Sequence, residues 1–232
     1  MFLYQIITIF PERYHSYFNT GLLKKAIEKK IIQYSTINLL DFAIKKNKKK
    51  KIDDKPYGGG PGMVLRIEPV WNALNSLPYR FPVIAMNPSG IPLNQNLLEE
   101  LAKILFSKTQ DVYGLTFLSG YYEGFDQRIL DHLVDLEISL GNFILNSGDP
   151  AIIAFIDAFS RLLPNFLGKA ESNWIESFKN NLIEYPQYTK PKEFKGWKVP
   201  EVLLSGHHKM IEKWRYEKSM EKTKKIQYKD LL

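Results

Sequence analysis

The stretch Glu137-Ile-Ser-Leu-Gly-Asn-Phe-Ile-Leu-Asn-Ser-Gly-Asp-Pro-Ala151 decides how this chain is read. Its first half alternates apolar with small or polar residues, as a buried strand edge does. Gly141 breaks the alternation where backbone must come close to something else. Asn146-Ser147-Gly148-Asp149-Pro150 is a dense turn signal. Ala151 to Leu163 is then a nearly all-apolar helix, which belongs in an interior or at a subunit contact. Asp149 is placed to be its N-cap, with Pro150 at the first helical position. A strand end, a glycine-bearing elbow and a helix N-terminus together expose several backbone N–H and C=O groups, which can hold a small polar ligand by main chain.

Upstream of this stretch, strands and helices alternate. Leu3 to Ile9 reads as a strand, Gly21 to Lys30 as a helix with Leu22, Leu23 and Ala26 on one face, and Ile31 to Leu40 as a second strand. Helices are expected over Ile67–Leu77, Asn94–Phe106 (started by Asn94) and Phe125–His132, and strands over Phe81–Met86, Val112–Leu118 and Leu133–Ser139. Such alternation means a mostly parallel sheet covered on both faces, with ligand sites at the carboxyl ends of its strands. Three loops fall there: Asn87 to Gly90, Ser119 to Gly124, and the opening stretch. No Gly-x-Gly-x-x-Gly follows a strand and no Gly-Lys-Ser/Thr occurs, so the usual dinucleotide and triphosphate readings lack their motifs.

Composition narrows the function classes. The chain has 232 residues, 44% apolar and 13% aromatic, enough for a large core, and no cysteine, which removes disulfides and thiolate chemistry. The first ten residues lack a basic flank and a cleavage site and are read as a strand rather than a signal peptide. No apolar run approaches membrane-spanning length, so a soluble, cytoplasmic protein is expected. The net charge of +7 is uneven: residues 192–232 hold eleven Lys plus Arg against six Asp plus Glu, and six lysines fill seven positions from Lys45 to Lys51. Two basic patches favour a polyanion, although Lys outnumbers Arg 26 to 6, a bias that an AT-rich genome also produces. Like-charge repulsion makes the lysine run an exposed loop, with a phosphate-tracking arm as its functional version. His15, His132, His207 and His208 make no metal pair, since adjacent histidines on a helix point apart; no metal ligands are expected.

The loops carry a further pattern. Asp-Asp-Lys-Pro-Tyr-Gly-Gly-Gly-Pro-Gly-Met (53–63), Gly-Tyr-Tyr-Glu-Gly-Phe-Asp-Gln-Arg (120–128), the opening stretch, Asp157-Ala-Phe-Ser-Arg-Leu-Leu-Pro164, Tyr188-Thr-Lys-Pro191, Val-Leu-Leu-Ser-Gly-His-His (202–208) and Lys-Trp-Arg (213–215) follow one another in fixed order. In this the chain resembles the bacterial tRNA (guanine-N1)-methyltransferase family, TrmD, from about residue 3 to residue 220. The resemblance implies an α/β fold of the SPOUT class with a mostly parallel, trefoil-knotted sheet (1–164), a linker (165–190) and a small helical tRNA-binding domain (191–232). It also implies a homodimer with the active site at the interface, and S-adenosyl-L-methionine as methyl donor to guanine N1 at position 37 of tRNA, in the anticodon stem-loop. A magnesium ion is left open.

The resemblance assigns roles residue by residue. Cofactor contacts fall to Asn87, Pro88, Gly120, Ser139, Leu140, Gly141, Phe143, Leu145 and Gly148, mostly through backbone, and to the Glu123 side chain. Guanine N1 must lose a proton while charge grows on O6, so a carboxylate and an arginine are the minimum set. By position these are Glu176 and Arg161. The family usually has aspartate at 176, and the extra methylene shifts the carboxylate by about 1 Å. Asn146-Ser147-Gly148-Asp149 stands where Ser/Thr-Gly-Gly-Glu is usual, and Ser147 for glycine raises the expectation of a clash or of strain at positive φ. A second reading follows from these departures: a tRNA-binding module of the same descent with weakened methyl transfer.

Overall fold

Phe2–Thr8 (β1) is buried at all seven positions, as a strand with both faces covered must be. In the computed structural model, which describes residues 1–46, 49–107, 112–167 and 182–227, β1 lies inside a five-stranded sheet. Its neighbours are Ile32–Asn38 (β2) on one side and, on the other, Tyr113–Leu118 of the strand labelled β8 below. The chain divides into two compact units, Met1–Phe166 and Leu167–Leu232.

In the first unit β1 leads into two helices, Pro11–Phe18 (α1) and Gly21–Glu28 (α2). The sequence reading has no counterpart for α1. Pro11 opens it with a φ already helical, and Tyr14 and Phe18, one turn apart, bury its inner face. On α2, Leu23 and Ala26 are buried as expected, whereas Leu22 is half exposed and leaves the predicted face. After β2 the lysine run departs from expectation: Ile44–Lys46 (β3) and Lys49–Lys51 (β4) pair antiparallel, with Lys45 opposite Lys50. Both of these lysines are exposed. In water like charges across a ladder cost only roughly 0.2–1 kcal/mol per pair, too little to overcome the backbone pairing.

Asp53–Asp54 (β5) and Val64–Leu65 (β6) form a two-residue ladder that closes the base of the glycine-rich loop. Ile67–Asn75 (α3) follows and buries Val70, Ala73 and Leu74. Val83–Pro92 (β7) runs six residues beyond the predicted strand end, because what reads as a loop at Asn87–Gly90 is a bulge inside the strand. The register against the last strand shifts between Met86 and Ile91. Gln95–Phe106 (α4) is capped by Asn94, whose side chain accepts the Leu97 N–H at 2.9 Å. Then come Tyr113–Leu118 (β8), Gln127–Leu133 (α5), Leu136–Ser139 (β9) and Asp149–Ser160 (α6). The sheet order is β2-β1-β8-β7-β9, and every pairing in it is parallel. The predicted mostly parallel α/β sheet is therefore present.

The apolar helix α6 packs Ile152, Phe155, Ile156 and Phe159 inward, at helical spacing, against an aromatic cluster. Phe117 meets Phe155 edge-on at 5.1 Å, and Phe2 lies 5.4 Å from Phe159. The Tyr4 hydroxyl bonds Ser160 Oγ at 2.8 Å, and burial raises its phenol pKa well above the usual range. The cap of α6 differs from expectation. Gly148 occupies the N-cap without a side-chain bond, and Asp149 is the first helical residue, its carboxylate turned into the interior.

The second unit contains a two-residue hairpin, Glu193–Phe194 (β10) with Trp197–Lys198 (β11), and the helices Glu201–Leu204 (α7) and His208–Gln227 (α8). Ile183 N–H donates to Thr223 Oγ1 at 2.9 Å and Tyr188 lies 6.3 Å from Trp214, so residues 183–188 run along α8. No described helix is long and apolar enough to cross a membrane.

Candidate active site

The carboxyl ends of β7, β8 and β9 meet around one cavity of about 290 Å³. Three segments build it: the β7 bulge with Asn87 and Pro88, the loop after β8 from Gly120 to Phe125, and the loop from Ser139 to Gly148. All ten residues that the sequence reading assigns to a cofactor line this cavity.

Two of the loops are pressed backbone to backbone. Gly148 N–H donates to the Gly120 carbonyl at 2.8 Å. A Cβ on Gly148 would sit 2.8 Å from the Gly120 nitrogen and 3.2 Å from Ser119 Cα, so glycine is required by space. The β7 bulge closes in a similar way. A side chain on Gly90 would overlap the backbone at Glu137 and Ile138, and Asn87 Nδ2 donates to Glu137 Oε2 at 2.6 Å. Gly141 takes φ +150 and turns the chain back over itself, its N–H on Ser139 Oγ at 3.2 Å and the Phe143 ring against it. Phe143, Ile144 and Leu145 then form an exposed apolar rim. Across the cavity Glu123 is exposed; its N–H bonds the Met63 carbonyl at 3.0 Å and its side chain packs on Gly62, where a Cβ would overlap it.

Beneath the Ser139–Gly148 loop lies a buried polar cluster that the sequence reading did not contain. Asp149, 0% exposed, accepts from Arg13 Nη1 at 2.7 Å, Thr8 Oγ1 at 2.9 Å, Tyr14 Oη at 2.9 Å and Tyr121 Oη at 2.8 Å. A buried carboxylate persists where a cation and several donors surround it. Burial, and next the Asp149 carboxylate, hold the Tyr14 phenol pKa far above its usual value; burial pushes that of Tyr121 up to about 12. The hydroxyls thus stay protonated and donate. The signal available in the sequence was Pro11-Glu12-Arg13-Tyr14 read as a helical first turn, which sets Arg13 and Tyr14 side by side at the end of β1.

Ser147 corrects another expectation. It is not among the described residues at positive φ, and its buried hydroxyl accepts from Arg13 Nη1 at 2.9 Å. No strain accompanies the replacement of glycine.

Of the two predicted catalytic residues only Arg161 is described, and it is not among the residues lining this cavity. Glu176 lies outside the described residues. Arg161 follows the last residue of α6, the helix that begins at the cavity, and twelve helical residues carry it about 18 Å along the axis. That distance exceeds the reach of an arginine side chain. Among the described residues no three His, Asp or Glu side chains gather as a metal site.

A family model described as "tRNA (Guanine-1)-methyltransferase TrmD" matches residues 2–232. The chain belongs to the TrmD family. Similar relatives named tRNA (guanine-N(1)-)-methyltransferase include those of Clostridium beijerinckii, 47% identical over 95% of this chain and 88% of the relative, and of a Nostoc species, 46% identical over 95% and 84%. The crystal structure of tRNA (m1G37) methyltransferase from Aquifex aeolicus superposes with a TM-score of 0.76 at 38% identity, covering 97% of this chain and 92% of the other. The α/β sheet described above is therefore the SPOUT-like fold of TrmD, and the chain is a tRNA (guanine-N1)-methyltransferase by family.

Proposed function

We propose that this TrmD member transfers a methyl group from S-adenosyl-L-methionine to N1 of guanine 37, beside the tRNA anticodon, as a cytoplasmic homodimer. The observation that carries the reading is the cavity at the strand ends, where Gly120 and Gly148 meet as bare backbone under an apolar rim. Main-chain N–H and C=O groups suit the polar edges of a nucleoside, and Phe143 and Leu145 suit its faces. Glycine at 148 is the kind of cradle that a Cβ would fill. The segment through these loops would thread as the trefoil knot of the SPOUT class.

The cofactor supplies an activated methyl group when bound; the chain supplies position and charge. In-line transfer from a sulfonium gains most from holding donor and acceptor at the right distance. Glu176 would take the N1 proton and the Arg161 guanidinium would face the charge growing on O6. Because Arg161 stands a helix length from its own chain's cavity, it serves the cavity of a second copy, and this is the reason for the dimer. Residues 191–232, with their net positive charge, would hold the tRNA, and the lysine hairpin would add phosphate contacts.

Methylation of a tRNA transcript carrying G37, with an A37 transcript as control, tests the reading. Cofactor-dependent methyl incorporation confined to the G37 transcript is expected. Equal incorporation into both transcripts, or none into either, would refute it.

A further inference from the structure

Two of the three residues of the Asn146–Asp149 loop that depart from the family pattern, Ser147 for glycine and Asp149 for glutamate, are held by the same atom. Arg13 Nη1 donates to Ser147 Oγ at 2.9 Å and to Asp149 Oδ2 at 2.7 Å. The guanidinium is itself fixed: it lies over the Phe10 ring, 4.3 Å from its centre, and Phe10 in turn packs edge-on against Tyr121 at 5.8 Å. Tyr121 returns to Asp149 through its hydroxyl, and Thr8 joins both. The closed circuit runs from the end of β1, through the first turn of α1, to the start of α6. Ser147 and Gly148 lie on it and also line the cavity, whereas Arg13 does not.

We propose that Arg13 is a positioning residue for cofactor binding, holding residues 146–148 against Gly120 through Ser147 and Asp149. The inference rests on the cavity being the S-adenosylmethionine site. Ser147 supplies a hydroxyl that the usual glycine lacks, and Asp149 presents its carboxylate to the same guanidinium; the two departures work as one unit with Arg13. A loop held this way keeps its backbone groups aimed before the ligand arrives, so loosening the clamp costs affinity more than turnover.

The test uses the full chain and S-adenosylmethionine, with Kd from calorimetry and KM and kcat from methyl transfer. Arg13→Gln should raise Kd and KM for the cofactor about tenfold while kcat at saturation and KM for tRNA stay within about twofold. Ser147→Ala, which leaves the Arg13–Asp149 ion pair in place and keeps the test usable if Arg13→Gln folds poorly, should raise Kd about threefold. The double variant should bind no more weakly than Arg13→Gln alone, because both changes remove one contact. A loss of melting temperature with cofactor affinity unchanged, or effects that add in the double variant, would overturn the proposal. Absence of cofactor binding by the unmodified protein would instead refute the reading of the site, and this inference with it.

Discussion

Two glycine-rich loops border the same unit, and they use glycine for opposite reasons. In Ser139–Gly148 the decisive glycine is set by contact: Gly148 has ordinary φ of −71, and a Cβ there would press on the backbone of Gly120. In the loop of residues 57–62, Gly58 and Gly59 take φ +83 and +80, yet a Cβ on either would meet nothing within 4 Å. Tyr57 beside them is fully exposed. The first loop is anchored from below by buried Asp149 and built before any ligand binds. At Gly58 and Gly59 the second has a backbone shape but no neighbours, and only at Gly62 does it rest on the unit, against Glu123. Contact-driven glycine marks a preformed pocket; conformation-driven glycine in open space marks a turn that the unit itself does not pack.

That contrast can be broken most forcefully at Gly148. Gly148→Ala should weaken S-adenosylmethionine binding by about a hundredfold, since the loops must part by a fraction of an ångström to about 1 Å. Calorimetry reads this, and affinity within a few-fold of the unmodified protein would mean that the loops are not pressed together. Next, Asp149→Asn takes the charged acceptor from the buried Thr8, Tyr14 and Tyr121 hydroxyls and should cost about 2 kcal/mol in urea unfolding. A change below about 0.5 kcal/mol, the range of ordinary surface substitutions, would show the anchor to be idle.

Alkaline titration sharpens the same point. The Tyr121 phenol rises from 10.0 to about 12 on folding, so between those values the unfolded chain has lost a proton that the folded one keeps. Its stabilising contribution is complete below pH 10 and declines as pH rises toward 12. Unfolding free energy should therefore fall over that window, and less steeply in Tyr121→Phe; equal slopes would remove the phenol from the account. The smallest effect belongs to the open loop. Gly58→Ala should cost about 1 kcal/mol of backbone strain and leave cofactor affinity within about twofold. A large loss of affinity there would erase the distinction between the loops.

How far the sequence could be read follows the same division. The alternating strands, the apolar helix and the Asn94 cap were legible because burial and capping leave local patterns. Ten residues from three separated loops were placed at one cavity through the family resemblance, since no periodicity links Asn87 to Gly148. What escaped was non-local or locally disguised. Asp149 looks like an N-cap because Asp-Pro before an apolar run usually is one; that its carboxylate turns inward depends on Arg13 and Tyr14, more than 130 positions away. The lysine run looks irregular because charge repulsion is visible in sequence and a cross-strand backbone ladder is not. Ser147 looks strained only while its hydroxyl has no partner, and Arg13 supplies one.

The claim with the widest consequence is that one chain's cavity works with another chain's Arg161. A heterodimer isolated with two different tags, one subunit carrying Arg161→Ala and the other Gly148→Ala, tests it in a single methyl-transfer assay. Each parent homodimer should be nearly inactive. The heterodimer holds one site with both changes and one with neither, so it should recover about half the activity of the unmodified dimer. A heterodimer as inactive as its parents would contradict the account, because it would mean that the arginine and the cavity act within the same chain.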